Sequence, residues 1–90
     1  MYEVVYSDEA LSSIAKYKKS SPQSYKKVLK LVKELHEHPK TGIGHPEALK
    51  GVGENVYSIE INKKDRLVYE IYEEKIVVYI ISVEGHYNDK

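Results

Sequence analysis

The chain has 90 residues, no cysteine and nine tyrosines, and its 14 basic and 14 acidic side chains give a formal net charge of zero. The length predicts one small domain over residues 1–90. The absence of cysteine excludes disulfides, thiolate metal sites and a cysteine nucleophile. Residues 76–81 form the longest apolar run, which is too short to span a bilayer, and no secretory leader is visible. We therefore expect a cytoplasmic protein with no membrane association.

Charge is distributed unevenly along the chain. Residues 16–50 carry nine lysines against three glutamates, whereas the segments on either side are acidic. A basic segment of this kind can attract a polyanion. Lysines also solvate the outer face of ordinary helices, so both interpretations stay open.

The N-terminal half predicts a strand and a helical hairpin. Residues 2–6 are rich in β-forming side chains. Ser7, followed by two acidic residues, is typical of a helix N-terminus, and a second helix should begin with Ser21 as its cap and Pro22 as its first residue. The expected buried positions are Leu11, Ile14 and Ala15 on the first helix and Tyr25, Val28, Leu29, Val32, Leu35 and His36 on the second.

Three strands are predicted after a loop rich in glycine and proline at residues 38–46. They cover residues 56–61, 66–72 and 75–83, and the short polar connections between them indicate an antiparallel meander. The order is β-α-α-β-β-β. We expect an α+β domain in which an N-terminal helix hairpin packs on one face of a mainly antiparallel four-stranded sheet.

Candidate acid–base groups lie in three separate segments. Glu47 follows Pro46 on a constrained turn, which suits a general base and equally a helix cap. Arg66 is the only arginine; at the start of a strand it could clamp a phosphate or form a surface salt bridge. His86 and Tyr87 follow the last strand, where a histidine can transfer a proton near neutral pH or simply belong to a tail.

The histidines do not predict a metal site. His36, His38 and His45 lie close in sequence, but no cysteine or aspartate accompanies them at ligand spacing, and residues two apart on a helix do not share a face. Gly42 and Gly44 lack the further glycine and lysine of phosphate-binding loops. We therefore expect neither a metal nor a cofactor.

Four motifs run through the chain in a fixed order. They are His38-Pro39-x-x-Gly42-x-Gly44-x-Pro46-Glu47-x-Leu49-Lys50, Tyr57-Ser58-x-x-Ile61-Asn62, Arg66-Leu67-Val68-Tyr69 and the terminal pair His86-Tyr87. In this order they resemble the YoeB/Txe branch of the RelE superfamily of bacterial toxins, and the resemblance covers nearly the whole chain. It implies the β-α-α-β-β-β fold and the toxin of a type II toxin–antitoxin system. It also implies a ribosome-dependent endoribonuclease that cuts mRNA in the ribosomal A site.

The resemblance also implies catalytic roles. Glu47 would take the proton from an RNA 2′-hydroxyl, and Arg66 would bind the phosphate. His86 would protonate the departing 5′-oxygen, while Tyr87 would position the phosphate or stack on a base. The products would carry a 2′,3′-cyclic phosphate or 3′-phosphate and a 5′-hydroxyl, without any metal.

Further contacts and partners follow from the same resemblance. Lys50, Tyr57 and Ser58 would contact the RNA, with Lys50 balancing charge on the phosphoryl oxygens. The implied partners are a YefM/Axe-type antitoxin, the ribosome and mRNA, with operator DNA reached only through the antitoxin. A homodimer is an open alternative because the core is small.

The chain departs from the family pattern at Tyr57, where a tryptophan is usual, and at three positions that are usually basic. Ile59, Glu60 and Glu84 stand where basic residues are usual, and each lost phosphate contact weakens RNA binding. One alternative is therefore a catalytically weak or silent toxin-fold binding module that acts with its antitoxin in DNA-bound autorepression. Another is a metal-independent hydrolase that acts on a different phosphodiester.

Overall fold

A computed structural model describes residues 1–41, 44–49 and 51–84. The elements in chain order are β1 (Glu3–Tyr6), α1 (Asp8–Ser20), α2 (Pro22–Glu37), β2 (Glu47–Ala48), β3 (Val56–Glu60), β4 (Arg66–Tyr72) and β5 (Val77–Ser82). The predicted α+β class is confirmed, with the helix hairpin preceding the meander. The last strand begins later than predicted, because residues 73–76 form a turn that ends at Ile76 with a φ of 55°.

The sheet has five strands in the order β1-β5-β4-β3-β2, so the predicted count of four is one too low. β1 pairs parallel with β5, and the other pairs are antiparallel. The additional strand is β2, in which Glu47 lies opposite Ser58 and Ala48 lies opposite Tyr57. Two residues are too few to show an alternating pattern, which explains why the sequence did not predict this strand.

The helix starts were predicted with mixed success. Ser7 caps α1 as expected: its Oγ accepts a hydrogen bond from the Ala10 backbone N at 2.9 Å and donates to the Ile81 carbonyl at 2.7 Å. Ser21 occupies the N-cap position of α2, but its side chain makes no capping hydrogen bond. The predicted cap chemistry of Ser21 is therefore wrong, whereas Pro22 does begin the helix.

The buried helix faces differ in part from the predicted ones. On α1, Leu11 is 52% exposed and Ala15 is also exposed, whereas the small residues Ala10 and Ser13 are buried. On α2, Leu29 is 49% exposed, and Leu31 takes its place in the core. The residues that α2 buries are Val28, Leu31, Val32 and Leu35. These positions follow the i, i+3, i+4, i+7 spacing of one helical face, which Leu29 does not share.

No helix within residues 1–41, 44–49 and 51–84 has the length and apolar character needed to cross a membrane. The longer of the two, α2, has 16 residues. Four lysines interrupt its sequence, Lys26, Lys27, Lys30 and Lys33.

Strands β3 and β4 present two different faces. On the core face, which packs against the helices, Ile59, Leu67, Tyr69 and Ile71 are each at most 1% exposed. Successive side chains of a strand point to opposite sides, so Ser58 and Arg66 lie on the other side, which we call the outer face. The hydrophobic alternation that builds the core thereby decides which polar side chains share the outer face.

Candidate active site

Three polar side chains meet on the outer face where β2, β3 and β4 run side by side. The Arg66 guanidinium donates from Nη2 to Glu47 Oε1 at 3.2 Å and from Nε to Ser58 Oγ at 3.0 Å. Arg66 therefore links a carboxylate on β2 to a hydroxyl on β3. We call Glu47, Ser58 and Arg66 the outer-face triad.

The strand register brings the triad together. Ser58 lies opposite Glu47 on one side and opposite Val68 on the other, and Arg66 stands two residues before Val68. Diagonal neighbours across a strand pair are within reach of long side chains. The guanidinium can therefore cross β3 and contact a side chain on β2.

Exposure rises in steps across the triad. Ser58 is 1% exposed, the Arg66 side chain 28% and the Glu47 side chain 72%. An ion pair with one partner this exposed is weak because solvent screens it. A phosphate could therefore displace Glu47 from Arg66 at little cost, leaving a free carboxylate beside a bound anion.

The loop that leads to Glu47 is attached to the core at two points. The Tyr69 hydroxyl donates to the Pro39 carbonyl at 2.5 Å in a buried hydrogen bond. Gly44 has a φ of +87°, and a Cβ there would lie 2.6 Å from Ile59 Cγ2 and 3.0 Å from Leu31 Cδ2. Only glycine fits this close approach without displacing its neighbours. The packing therefore explains why the loop motif has a glycine at position 44.

The end of β5 is attached to α1. Glu84 accepts a hydrogen bond from the Ser13 hydroxyl at 3.0 Å and pairs with Lys16 Nζ, also at 3.0 Å. The hydrogen bond from Lys16 is the main reason why the pKa of the Glu84 carboxyl is lowered. Glu84 therefore makes a structural contact with the helix hairpin.

The structure brings together some of the predicted site residues and separates others. Glu47, Arg66 and Ser58 form the triad, although sequence reasoning gave Ser58 an RNA contact and did not predict its bond to Arg66. Tyr57 lies on the core face, where its ring stacks on Tyr69 with centroids 5.9 Å apart. The remaining predicted site residues, Lys50, His86 and Tyr87, lie outside the described residues.

The departures from the family pattern have different structural settings. Ile59 is 1% exposed in the core, so a side chain at this position does not face the triad. Glu60 is exposed and lies opposite Arg66 in the register of the β3–β4 strand pair. Of the two positions on β3, only Glu60 therefore places a different charge near the outer face.

No metal-binding group was found in the part of the chain that the structure describes. Among residues 1–41, 44–49 and 51–84, no three or more histidine, cysteine, aspartate or glutamate side chains are arranged to hold an ion. The chemistry available to the triad is that of a carboxylate base next to a fixed cation.

Comparison with known proteins identifies the family. The family of YoeB-like toxins of bacterial type II toxin–antitoxin systems matches residues 6–87. The chain is 41% identical over 69 residues to Toxin YoeB of Synechocystis sp., covering 72% of this chain and 78% of the relative.

Solved structures agree with this match. The YoeB dimer from Staphylococcus aureus has a TM-score of 0.83 at 29% identity, covering 96% of this chain and 98% of that one. The YoeB-YefM complex from the same organism gives a TM-score of 0.80 at 28% identity, with 97% and 99% of the chains covered. This chain belongs to the YoeB-like toxin family of bacterial type II toxin–antitoxin systems.

Proposed function

We propose that this toxin is a ribosome-dependent mRNA endoribonuclease that inhibits translation. The observation that carries the proposal is the outer-face triad, in which an exposed carboxylate lies 3.2 Å from a guanidinium held at its other end by Ser58. A base and an anion-binding group at this separation suit attack by a ribose 2′-hydroxyl on the neighbouring phosphorus.

In the proposed reaction Glu47 accepts the proton of the 2′-hydroxyl as the 2′-oxygen bonds to phosphorus. Arg66 stabilises the negative charge that develops on the phosphoryl oxygens. The bond from phosphorus to the 5′-oxygen breaks, and the family resemblance assigns the proton for that oxygen to His86. Lys50 and Tyr87 would support the phosphate, so the products are a 2′,3′-cyclic phosphate and a 5′-hydroxyl.

In this proposal, the ribosome supplies the binding and positioning of RNA that the isolated chain lacks. General acid–base catalysis contributes roughly 10²–10⁴-fold, and the rest must come from electrostatic stabilisation and from holding the RNA in line. A protein of zero net charge attracts free RNA only weakly over long distances. Delivery of the mRNA codon by the ribosome in the cytoplasm would offset this.

The proposed protein partner is a YefM-type antitoxin, as in the Staphylococcus aureus YoeB-YefM complex. The Staphylococcus aureus YoeB dimer supports self-association as a second mode. Operator DNA would be reached only through the antitoxin.

The test is induction in bacteria without an antitoxin, followed by mapping of transcript 5′ ends. We expect growth arrest and new 5′-hydroxyl ends within translated codons. Glu47→Gln should abolish both effects. The exposed Glu54→Gln should behave like the unmodified protein. Arrest that persists undiminished in Glu47→Gln would contradict the proposal.

A silent toxin-fold binding module is the second candidate. Glu60 favours it, because an acid directly opposite Arg66 repels a phosphate approaching the triad. On this candidate a folded protein leaves growth unchanged, and its effect is stronger binding of the antitoxin to operator DNA. Glu60→Lys would then raise RNA cleavage from nothing to a measurable level.

A further inference from the structure

We propose that Ser58 is a positioning residue that holds the Arg66 guanidinium, and that it does not contact the RNA. Its effect on cleavage rests on the proposed function, whereas its hold on Arg66 does not. The proposal concerns one hydrogen bond, from Arg66 Nε to Ser58 Oγ at 3.0 Å.

Burial separates Ser58 from substrate. The residue is 1% exposed, so an RNA strand lying on the outer face cannot reach its hydroxyl while the Arg66 side chain covers it. Arg66, with 28% of its side chain exposed, lies over it and faces solvent. The Ser58 hydroxyl is therefore oriented toward the guanidinium.

The position of the bond on the guanidinium leaves the anion-binding end available. Within the described residues, Ser58 and Glu47 engage two of the five N–H groups that an arginine carries. The bond to Ser58 uses Nε, at the base of the planar group, whereas Glu47 is bound by Nη2. A phosphate can therefore replace Glu47 on Nη2 while the Nε bond keeps the plane of the group fixed.

Ser58 also links the position of Arg66 to that of Glu47. Its backbone lies opposite Glu47 in the β2–β3 pair, while its side chain holds Arg66. One residue thereby fixes the separation between the proton acceptor and the phosphate-binding group. Errors of about 1 Å in such a separation can cost about 10²-fold in rate.

The first experiment observes the bond directly by nitrogen-15 NMR of the uncomplexed protein. Arg66 is the only arginine, so its Nε–H gives a single, unambiguous signal. We expect hydrogen exchange of this group to be about 10-fold faster in Ser58→Ala. Ser58→Thr should keep the slow rate because it retains a hydroxyl, and Ser12→Ala, an exposed serine on α1, is the control. An unchanged exchange rate in Ser58→Ala would overturn the proposal.

The second experiment measures single-turnover mRNA cleavage on programmed ribosomes. We expect Ser58→Ala to lower the rate about 10-fold in the otherwise unmodified protein and to have no further effect in an Arg66→Lys background, since lysine has no Nε–H donor at that place. A merely structural role would lower the rate equally in both backgrounds, and that result would overturn the proposal. Ser58→Cys, which keeps the side-chain size but accepts hydrogen bonds weakly, replaces Ser58→Ala if the latter does not fold.

The two experiments separate two kinds of failure. If the unmodified protein cleaves no RNA on ribosomes, the proposed function fails. Exchange at Arg66 Nε then still decides whether Ser58 holds the guanidinium.

Discussion

The two faces of strands β3 and β4 are built from the same backbone but are organised in opposite ways. The core face is mostly apolar and largely covered by the helices, with Leu67 and Tyr69 at 0% exposure. On the outer face, exposure rises from Ser58 at 1% to Glu47, whose side chain is 72% exposed. Packing of the core face fixes the strand register. On the outer face, that register places the Glu47 carboxylate next to the Arg66 guanidinium. We therefore expect changes on the outer face to alter activity and changes on the core face to alter stability.

The largest expected effect is on the outer face, at Arg66. Arg66→Ala removes the group that we propose stabilises the phosphoryl oxygens, and we expect mRNA cleavage on ribosomes to fall about 10²–10³-fold. The free energy of unfolding, measured in urea, should fall by no more than about 1 kcal/mol, because the ion pair with Glu47 is exposed and the Ser58 hydroxyl, uncovered when the Arg66 side chain is removed, can bond to water. Lys63→Ala, an exposed cation three residues earlier, is the control. A loss of stability that accounts for the loss of activity would remove the distinction between the faces.

The next effect is on the core face, at Gly44. Gly44→Ala should lower the free energy of unfolding by about 2 kcal/mol, because its Cβ would meet Ile59 and Leu31 at 3.0 Å or less. Gly51→Ala is the matched control: its φ of +80° is also positive, but nothing lies within 4 Å of its Cβ. Denaturant unfolding of both variants isolates the packing contribution. Equal losses would mean that backbone conformation alone explains the effect.

Two tyrosine–carboxylate pairs that differ in burial should also differ in how much they stabilise the fold. Tyr17 donates to Asp65 at 2.5 Å in a buried pair, whereas Tyr72 donates to Glu70 at 3.1 Å on the surface. We expect Tyr17→Phe to cost about 1.5 kcal/mol of unfolding free energy and Tyr72→Phe almost nothing. Similar losses from thermal unfolding of the two variants would contradict this prediction.

The same buried pair predicts a pH dependence. Burial, followed by the hydrogen bond to Asp65, raises the pKa of Tyr17 above its ordinary value of 10.0. Its contribution to stability is therefore complete below pH 10 and is lost as the pH rises further. The difference in unfolding free energy between the unmodified protein and Tyr17→Phe should shrink above pH 10. A constant difference would show that the hydroxyl does not titrate differently on unfolding.

The smallest effect is expected at Glu84, between α1 and the end of β5. The pKa of its carboxyl is lowered from 4.5, mainly by the hydrogen bond from Lys16. Its contribution is therefore present above pH 4.5 and is lost as the pH falls through the lowered value. Glu84→Gln should cost at most about 1 kcal/mol near neutral pH and should flatten the acid side of a stability profile. An unchanged acid profile would show that this contact does not contribute to stability.

Patterns that repeat over many residues were predictable from the sequence. The helix hairpin, the antiparallel meander and the Ser7 cap all follow from local spacing. The short strand β2 was not predictable, because two residues show no period. Helical spacing places Leu11 and Leu29 in the core, but the structure does not. Small residues such as Ala10 let α1 approach the sheet, and Leu29 lies off the buried face of α2, so both leucines remain exposed.

For the candidate site, the sequence predicted which residues to consider but not how they are arranged. Glu47 and Arg66 were found from motifs, and the structure brings them together. Alternation along a strand assigns Tyr57 and Ser58 to opposite faces, so both could not contact the same RNA from one surface. Which of the two faced the core depended on Ile59 and Tyr69, whose burial only the folded sheet shows. The hydrogen bond between Arg66 and Ser58 crosses strands, and no local pattern encodes it.

The most direct test removes one hydroxyl group from the substrate. Ribosomes are programmed with mRNA that carries a single 2′-deoxynucleotide at the cleaved position of the A-site codon, and the products are compared with those from unmodified mRNA. We predict that unmodified mRNA yields a 2′,3′-cyclic phosphate and a 5′-hydroxyl, and that the 2′-deoxy mRNA is not cut, because Glu47 then has no hydroxyl to deprotonate. Cleavage of the 2′-deoxy mRNA, or products with a free 3′-hydroxyl, would contradict the account.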